Sequence, residues 1–95
     1  MVRIIVKFMS IARQRAGTGR IEIEVMTPVP KLRFVLSDIV EKFGISDIIV
    51  TETGEVKPWA RVLVNGRSQE FVGGLDLDLH EEDTLALVYP YADNF

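Results

Sequence analysis

The residues best suited to chemistry lie between Leu75 and Asp83, where Asp76, Asp78 and His80 alternate with Leu75, Leu77 and Leu79 and run into Glu81-Glu82-Asp83. His80 is the single histidine, and so the one side chain whose ordinary pKa falls near neutrality. Carboxylates two apart on a strand sit roughly 7 Å from each other, which with the acids that follow would make a weak cation site. The leucines account for the same alternation without any function, because a half-buried strand puts apolar residues on one face and polar ones on the other. The chain has no cysteine, no GxSxG, no phosphate-cradling glycine loop and no HExxH. No catalytic, cofactor-binding or metal-ligating residue is therefore assigned, and the expectation is a protein that is not an enzyme on its own.

Three other groups are candidates for contact with a partner. Arg13, Arg15 and Arg20 form the only basic cluster, fit either for an anionic group or an acidic partner, or for plain solvation. Trp59 follows Pro58 and reads as a lid over the edge of the core or as an exposed anchor; a lone aromatic packs more often than it binds, so the lid is the first expectation. The segment Tyr89-Pro90-Tyr91-Ala92-Asp93-Asn94-Phe95 carries three aromatics in seven residues, and Pro90 stops strand pairing. It is expected either to fold back on its own domain or to dock into a partner, since aromatic anchors are what interfaces favour.

These residues must be held by a small scaffold. With 95 residues and 47% hydrophobic content there is material for one core, so residues 1–95 are expected to form a single domain. The net charge is −3, with 14 acidic residues against 11 basic, which argues against nucleic-acid binding. The apolar N-terminus is broken by Arg3 and Lys7 and is far shorter than the roughly 18 residues of a membrane span. Neither a membrane segment nor a signal peptide is expected, and cysteine-free composition fits the cytoplasm.

Val2, Ile4, Val6 and Phe8 alternate with Arg3, Ile5, Lys7 and Met9, a strand pattern; Ile5 and Met9 on the second face suggest a central strand partly covered on both sides. Ser10 offers an N-cap for a short helix to Ala16, stopped by Gly17. Arg20–Val25 alternates cleanly and is expected to return antiparallel beside the first strand. After Thr27-Pro28-Val29-Pro30, the stripe Leu32, Val35, Leu36, Ile39, Val40 and Phe43 predicts the main helix, ended by Gly44. Ile48-Ile49-Val50 reads as a short strand or packed loop, and Thr53-Gly54-Glu55 as an exposed turn. Arg61–Val64, Asn65-Gly66 and Arg67–Phe71 read as a hairpin with a type I′ turn, and Thr84–Tyr89 as an interior strand. The order predicts an α+β fold of the ubiquitin-like β-grasp kind: a mixed sheet of four to five strands, the first and last parallel, with one main helix packed across it.

The opening Val2-Arg3-Ile4-Ile5-Val6-Lys7-Phe8-Met9-Ser10-Ile11-Ala12-Arg13, the hairpin Val64-Asn65-Gly66 and the run from Leu79 to Pro90 together resemble the MoaD/ThiS family, the small subunit of molybdopterin synthase and its thiamine-pathway relative. The resemblance covers nearly the whole chain and is weakest from Ile45 to Pro58. It implies a β-grasp sulfur carrier of molybdenum or tungsten cofactor assembly, with an E1-like activating enzyme or a MoaE-like large subunit as protein partner. In that family a C-terminal Gly-Gly is adenylated with ATP and converted to a thiocarboxylate. Aligned from Pro90, the family's Pro-Pro-x-x-Gly-Gly falls on Pro90 to Phe95, so Asn94 and Phe95 stand where the glycines belong. Side chains there would obstruct a channel built for bare backbone. Thiocarboxylate chemistry is accordingly not expected of this terminus, and Tyr89 to Phe95 is assigned as a docking tail, with Arg13, Arg15 and Trp59 as further interaction residues. The alternative is a non-carrier β-grasp adaptor or accessory subunit of another enzyme complex, and homo-oligomerisation stays open.

Overall fold

The alternation of the N-terminal segment becomes a nine-residue strand, β1 (Val2–Ser10), whose Val2, Ile4, Val6 and Phe8 are buried. The structure is a computed structural model that describes residues 1–89; the predicted docking tail beyond Tyr89, Pro90 to Phe95, lies outside the described residues. A short helix α1 (Ile11–Ala16) follows, then β2 (Arg20–Val25), the main helix α2 (Leu32–Lys42), a single helical turn α3 (Ser46–Ile49), the hairpin β3 (Arg61–Val64) and β4 (Arg67–Ser68), and β5 (Thr84–Tyr89). The sheet order is β2-β1-β5-β3-β4. β1 pairs with β2 antiparallel and with β5 parallel, in the register Ile5 with Thr84 through Ser10 with Tyr89. This is the predicted mixed sheet with its first and last strands side by side.

α2 lies where its stripe requires. Leu32, Val35, Leu36, Ile39 and Val40 are buried against the inward residues of the sheet, including Ile4, Val6, Phe8, Val62, Leu85 and Leu87. The helix ends with the Ile45 N–H donating to the Val40 carbonyl at 2.9 Å and the Gly44 N–H to Glu41 at 3.2 Å, a Schellman closure that carries Ile45 into the core. Phe43 meets Phe8 with ring centroids 5.0 Å apart, tilted by 52°. No helix among the described residues is long and apolar enough to cross a membrane.

Several local expectations are corrected. Ser10 occupies the N-cap position but has φ 58° and makes no side-chain capping bond: the backbone itself makes the bend from strand to helix. Ile48-Ile49 belongs to α3 rather than to a strand, and only an isolated bridge joins Val50 to Val56. β4 stops after Ser68, because Gln69–Phe71 turns into a 3-10 helix. The leucines at 75, 77 and 79 do point inward, with Leu75 and Leu79 buried, yet their backbone is no sheet strand. Gly74–Asp76 is a 3-10 turn, and Leu77 to Leu79 instead pairs with the start of α2: the Leu32 N–H donates to Leu77 at 2.9 Å and the Leu79 N–H to Pro30 at 2.8 Å. Gly73, at φ 129°, permits this path, since a Cβ there would sit 3.1 Å from Leu77 Cδ1.

The Asn65-Gly66 turn holds as predicted, with φ 51° and 89°. Asn65 does more than turn the chain. Its Nδ2 donates to Asp83 Oδ1 at 3.0 Å, its Oδ1 accepts from the Thr84 N–H at 2.9 Å, and its own N–H donates to the Thr84 carbonyl at 2.8 Å. The hairpin tip is thereby tied to the start of β5. Asn65→Ala removes two side-chain bonds and puts a less tolerant residue at positive φ, so it is expected to lower stability by about 1–3 kcal/mol. A urea denaturation midpoint unchanged from the parent would show that the tie carries no stability.

Candidate partner-docking surface

All of the core-facing helix sits on one side of the sheet, so the residues between the buried ones on each strand face outward together. On β1 these are Arg3, Ile5, Lys7 and Met9; on β2 Arg20, Glu22 and Glu24; on β5 Thr84, Ala86 and Val88; on β3 Arg61 and Leu63. The register places them in rows. Arg20, Lys7, Ala86, Leu63 and Ser68 cross the sheet in one row, Met9, Val88 and Arg61 in the next, and Glu22, Ile5 and Thr84 in the row on the other side. At about 4.8 Å between strands, Ile5, Met9, Ala86, Val88 and Leu63 make an apolar strip roughly 10 Å wide. Ala86 is only 9% exposed, yet it is not part of the core cluster; its cover comes from neighbours on the outer face.

β1 is central in the sheet as expected, between β2 and β5, and the partial cover expected over its second face is present at Ile5 but not at Met9. Ile5 is half-buried only by its strand neighbours, and Met9 is 45% exposed, because no element packs over that side among the described residues. The apolar departures from alternation in β1 and β5 marked this face correctly, but they marked an open face and not a covered one.

The charges around the strip are unevenly distributed. At the end where β5 begins, Arg3 gathers Glu82 at 2.8 Å and Glu81 and Glu22 at 3.9 Å, with Glu24 opposite it on β2. Toward the end where β5 finishes, Lys7, Arg20 and Arg61 dominate; Arg20 reaches Glu22 at 3.0 Å, and Arg61 Nη1 donates to the carbonyls of Pro58 and Ala60 at 2.9 and 3.0 Å. The strip is thus basic toward the Tyr89 end of β5 and acidic toward the Thr84 end.

The other predicted site residues are dispersed. Arg15 is turned to the opposite corner, where it donates to the Gly44 carbonyl at 3.0 Å and to Asp47 Oδ1 at 2.8 Å and ties α1 to the α2–α3 junction. That hydrogen bond, opposed by some desolvation, holds the Asp47 carboxyl below its ordinary value. Arg13 lies over Gly19, its Nε 3.0 Å from where a Cβ would stand. Trp59 is 42% exposed and lies outside the core cluster, with Lys57 Nζ 5.5 Å from its ring centroid, so the lid expectation gives way to an exposed aromatic. Tyr89 is half-buried against the core and paired with Ser10, which makes it the root from which Pro90 to Phe95 continue.

The acidic run is also divided among separate partners. Asp76 accepts from Arg33 Nε at 3.2 Å and Asp78 from Lys31 Nζ at 2.7 Å, while Asp83 takes the His80 N–H at 2.8 Å and Asn65. Two cations from the start of α2, Arg33 and Lys31, thus take two of these carboxylates.

Neither a family model nor a curated protein matches this sequence. Solved structures do match in three dimensions. Urm1 from Trypanosoma brucei is 24% identical, with a TM-score of 0.80 over 97% of this chain and 95% of that one. A putative molybdopterin converting factor, subunit 1, from Pyrococcus furiosus is 23% identical, with a TM-score of 0.73 over 96% and 100%. A chain of the Amycolatopsis orientalis BexX/CysO complex is 23% identical, with a TM-score of 0.70 over 96% and 99%. Strand order, the parallel β1–β5 pair, the helix across one face and these neighbours agree: the chain has the ubiquitin-like β-grasp fold shared by MoaD-like proteins.

Proposed function

We propose that this protein is a MoaD-like docking protein of molybdenum or tungsten cofactor assembly, not a catalyst in its own right. In this proposal it acts in the cytoplasm by seating its open sheet face and its tail on an E1-like activating enzyme or a MoaE-like large subunit. The observation that carries the proposal is the apolar strip of Ile5, Met9, Leu63, Ala86 and Val88, through whose centre β5 runs to Tyr89. A partner that covers the strip also meets the end of β5 at Tyr89, after which the tail follows in sequence. Likeness to the putative molybdopterin converting factor subunit supports the choice of pathway, and likeness to a chain solved within the BexX/CysO complex supports a protein partner.

The test uses the full chain and a variant lacking Asp93 to Phe95, titrated against an E1-like and a MoaE-like protein from the same source. Loss of the tail's aromatic anchor is expected to weaken the complex about tenfold or more. Equal affinity would remove the tail from the interface. Carrier and adaptor roles separate by mass spectrometry after incubation with ATP, a sulfide source and the E1-like enzyme. A C-terminus that gains sulfur in place of a terminal oxygen would establish a carrier, and one left unchanged would favour the adaptor.

A further inference from the structure

We propose that the open sheet face selects its partner by charge: the partner's apolar contact patch carries an aspartate or glutamate carboxylate that seats against Lys7 and Arg20. The inference rests on that face being the docking face, and adds what must stand opposite it. Lys7 and Arg20 are direct cross-strand neighbours in the β1–β2 register, both exposed on the outer side. Like charges directly opposite one another are destabilising, so the pair brings the isolated fold no benefit. Arg20 is relieved by Glu22 at 3.0 Å, a carboxylate that also lies 3.9 Å from Arg3. Lys7 has neither an ion pair nor a side-chain hydrogen bond among the described residues.

The arrangement of charge by rows is what calls for an acid here. The row of Arg20, Lys7, Ala86, Leu63 and Ser68 and the row of Met9, Val88 and Arg61 contain cations and no carboxylate. About 13 Å away, at four residues of strand rise, Arg3 stands opposite Glu24 and beside Glu81 and Glu82. A polyanion such as nucleic acid would run onto those glutamates, whereas a protein patch can set one carboxylate at the cationic end alone. Lys7 also sits between Ile5 and Met9 along β1 and beside Ala86, inside the apolar strip. A partner that covers the strip takes the Lys7 ammonium out of water, and a charge so buried is costly unless an opposite charge meets it. Such a pairing also fixes which way round the partner lies, because the other end of the face repels acids.

The test titrates the full chain and its Lys7 variants against the E1-like and MoaE-like proteins, with Ala86→Glu as the control for the face itself. Lys7→Met keeps the length of the side chain and removes its charge, so affinity is expected to fall about tenfold or more. The complex should also lose most of its sensitivity to added salt, and Lys7→Arg should keep both properties. Lys7 is exposed and faces a like charge, so melting temperatures should hold within a few degrees, which verifies folding. Unchanged or tighter binding by Lys7→Met, or an unaltered salt dependence, would overturn the proposal, and a loss of binding in Ala86→Glu would then still keep the open face as the docking face. Insensitivity to both substitutions, or no complex with either protein, would overturn the docking reading together with this one. Sedimentation showing that the protein alone dimerises and that Lys7→Met does not would also overturn it, because the carboxylate would then come from a second copy of this chain turned end for end.

Discussion

Ala86→Glu is expected to weaken the complex with an E1-like or MoaE-like partner by about 100-fold or more, the loss seen when the centre of an interface is disrupted. Ala86 stands midway across the outer face, between Lys7 on β1 and Leu63 on β3. A partner seated on the strip would have to bury the new carboxylate in an apolar contact, and an uncompensated charge in such a place is costly. The isolated protein should tolerate the change. The substituted side chain leaves the sheet on the side away from the core, beside a lysine directly opposite, and cross-strand pairs of unlike charge are mildly favourable. The measurement is a pair of numbers, the dissociation constant and the melting temperature: the first should move and the second should hold within a few degrees. Unchanged affinity would take the open face out of partner recognition whatever the tail does.

Phe8→Ala is expected to act in the opposite way, costing about 3–5 kcal/mol of stability without touching any exposed surface. Phe8 is 1% exposed, in the last third of β1 and paired with Leu87 on β5, and its ring meets Phe43 at the end of α2. Truncation leaves a cavity exactly where the central strands meet the helix terminus, and it also removes an aromatic pair worth about 0.5–1.5 kcal/mol beyond its area. Against the roughly 5–15 kcal/mol of an ordinary domain, much of the protein's stability would go. A shift in urea midpoint equivalent to less than about 1 kcal/mol would mean that the helix end and the sheet relax together to fill the space. Phe43→Leu, at a half-buried cap position, should cost clearly less.

The two substitutions separate what adjacent outward and inward residues of the same sheet do. Phe8 and Met9 are neighbours in sequence, yet one is sealed in the core and the other is 45% exposed on the open face of the sheet. Alternation along β1 distinguishes the two faces, and the apolar residues on the second face show that it has something to cover. Whether that cover comes from the same chain is decided by the path of the other elements, and among the described residues the helices pack on one side of the sheet.

Other departures follow the same division. Between Ile45 and Ala60 the apolar residues are too scattered to define a period, and between Gln69 and Asp83 the only regular pattern is the alternation of Leu75, Leu77 and Leu79. There α3, the 3-10 turns and the pairing of Leu77 to Leu79 with the start of α2 arise from contacts distant in sequence. The period-two leucines report burial correctly and backbone incorrectly, since an extended segment can face inward without a neighbouring strand. Phe34 and Phe71 gave no sequence signal of their own, because an apolar residue near a helix stripe or after a hairpin is ordinarily packed.

Sequence alone determined the long elements and their order: the alternation of β1 and β2, the stripe of α2, the Asn65-Gly66 turn and the apolar run of β5, all set by neighbours within a turn or a pleat. From these the β-grasp fold could be read. Tertiary structure alone decided that the strip of Ile5, Met9, Leu63, Ala86 and Val88 is one surface, that Arg15 belongs to Asp47, that Asp76 and Asp78 belong to the start of α2, and that Phe34 and Phe71 stay exposed. Each of those depends on residues brought together across the sheet or between loops, and local periodicity carries no information about which distant side chain, or which solvent, a face will meet.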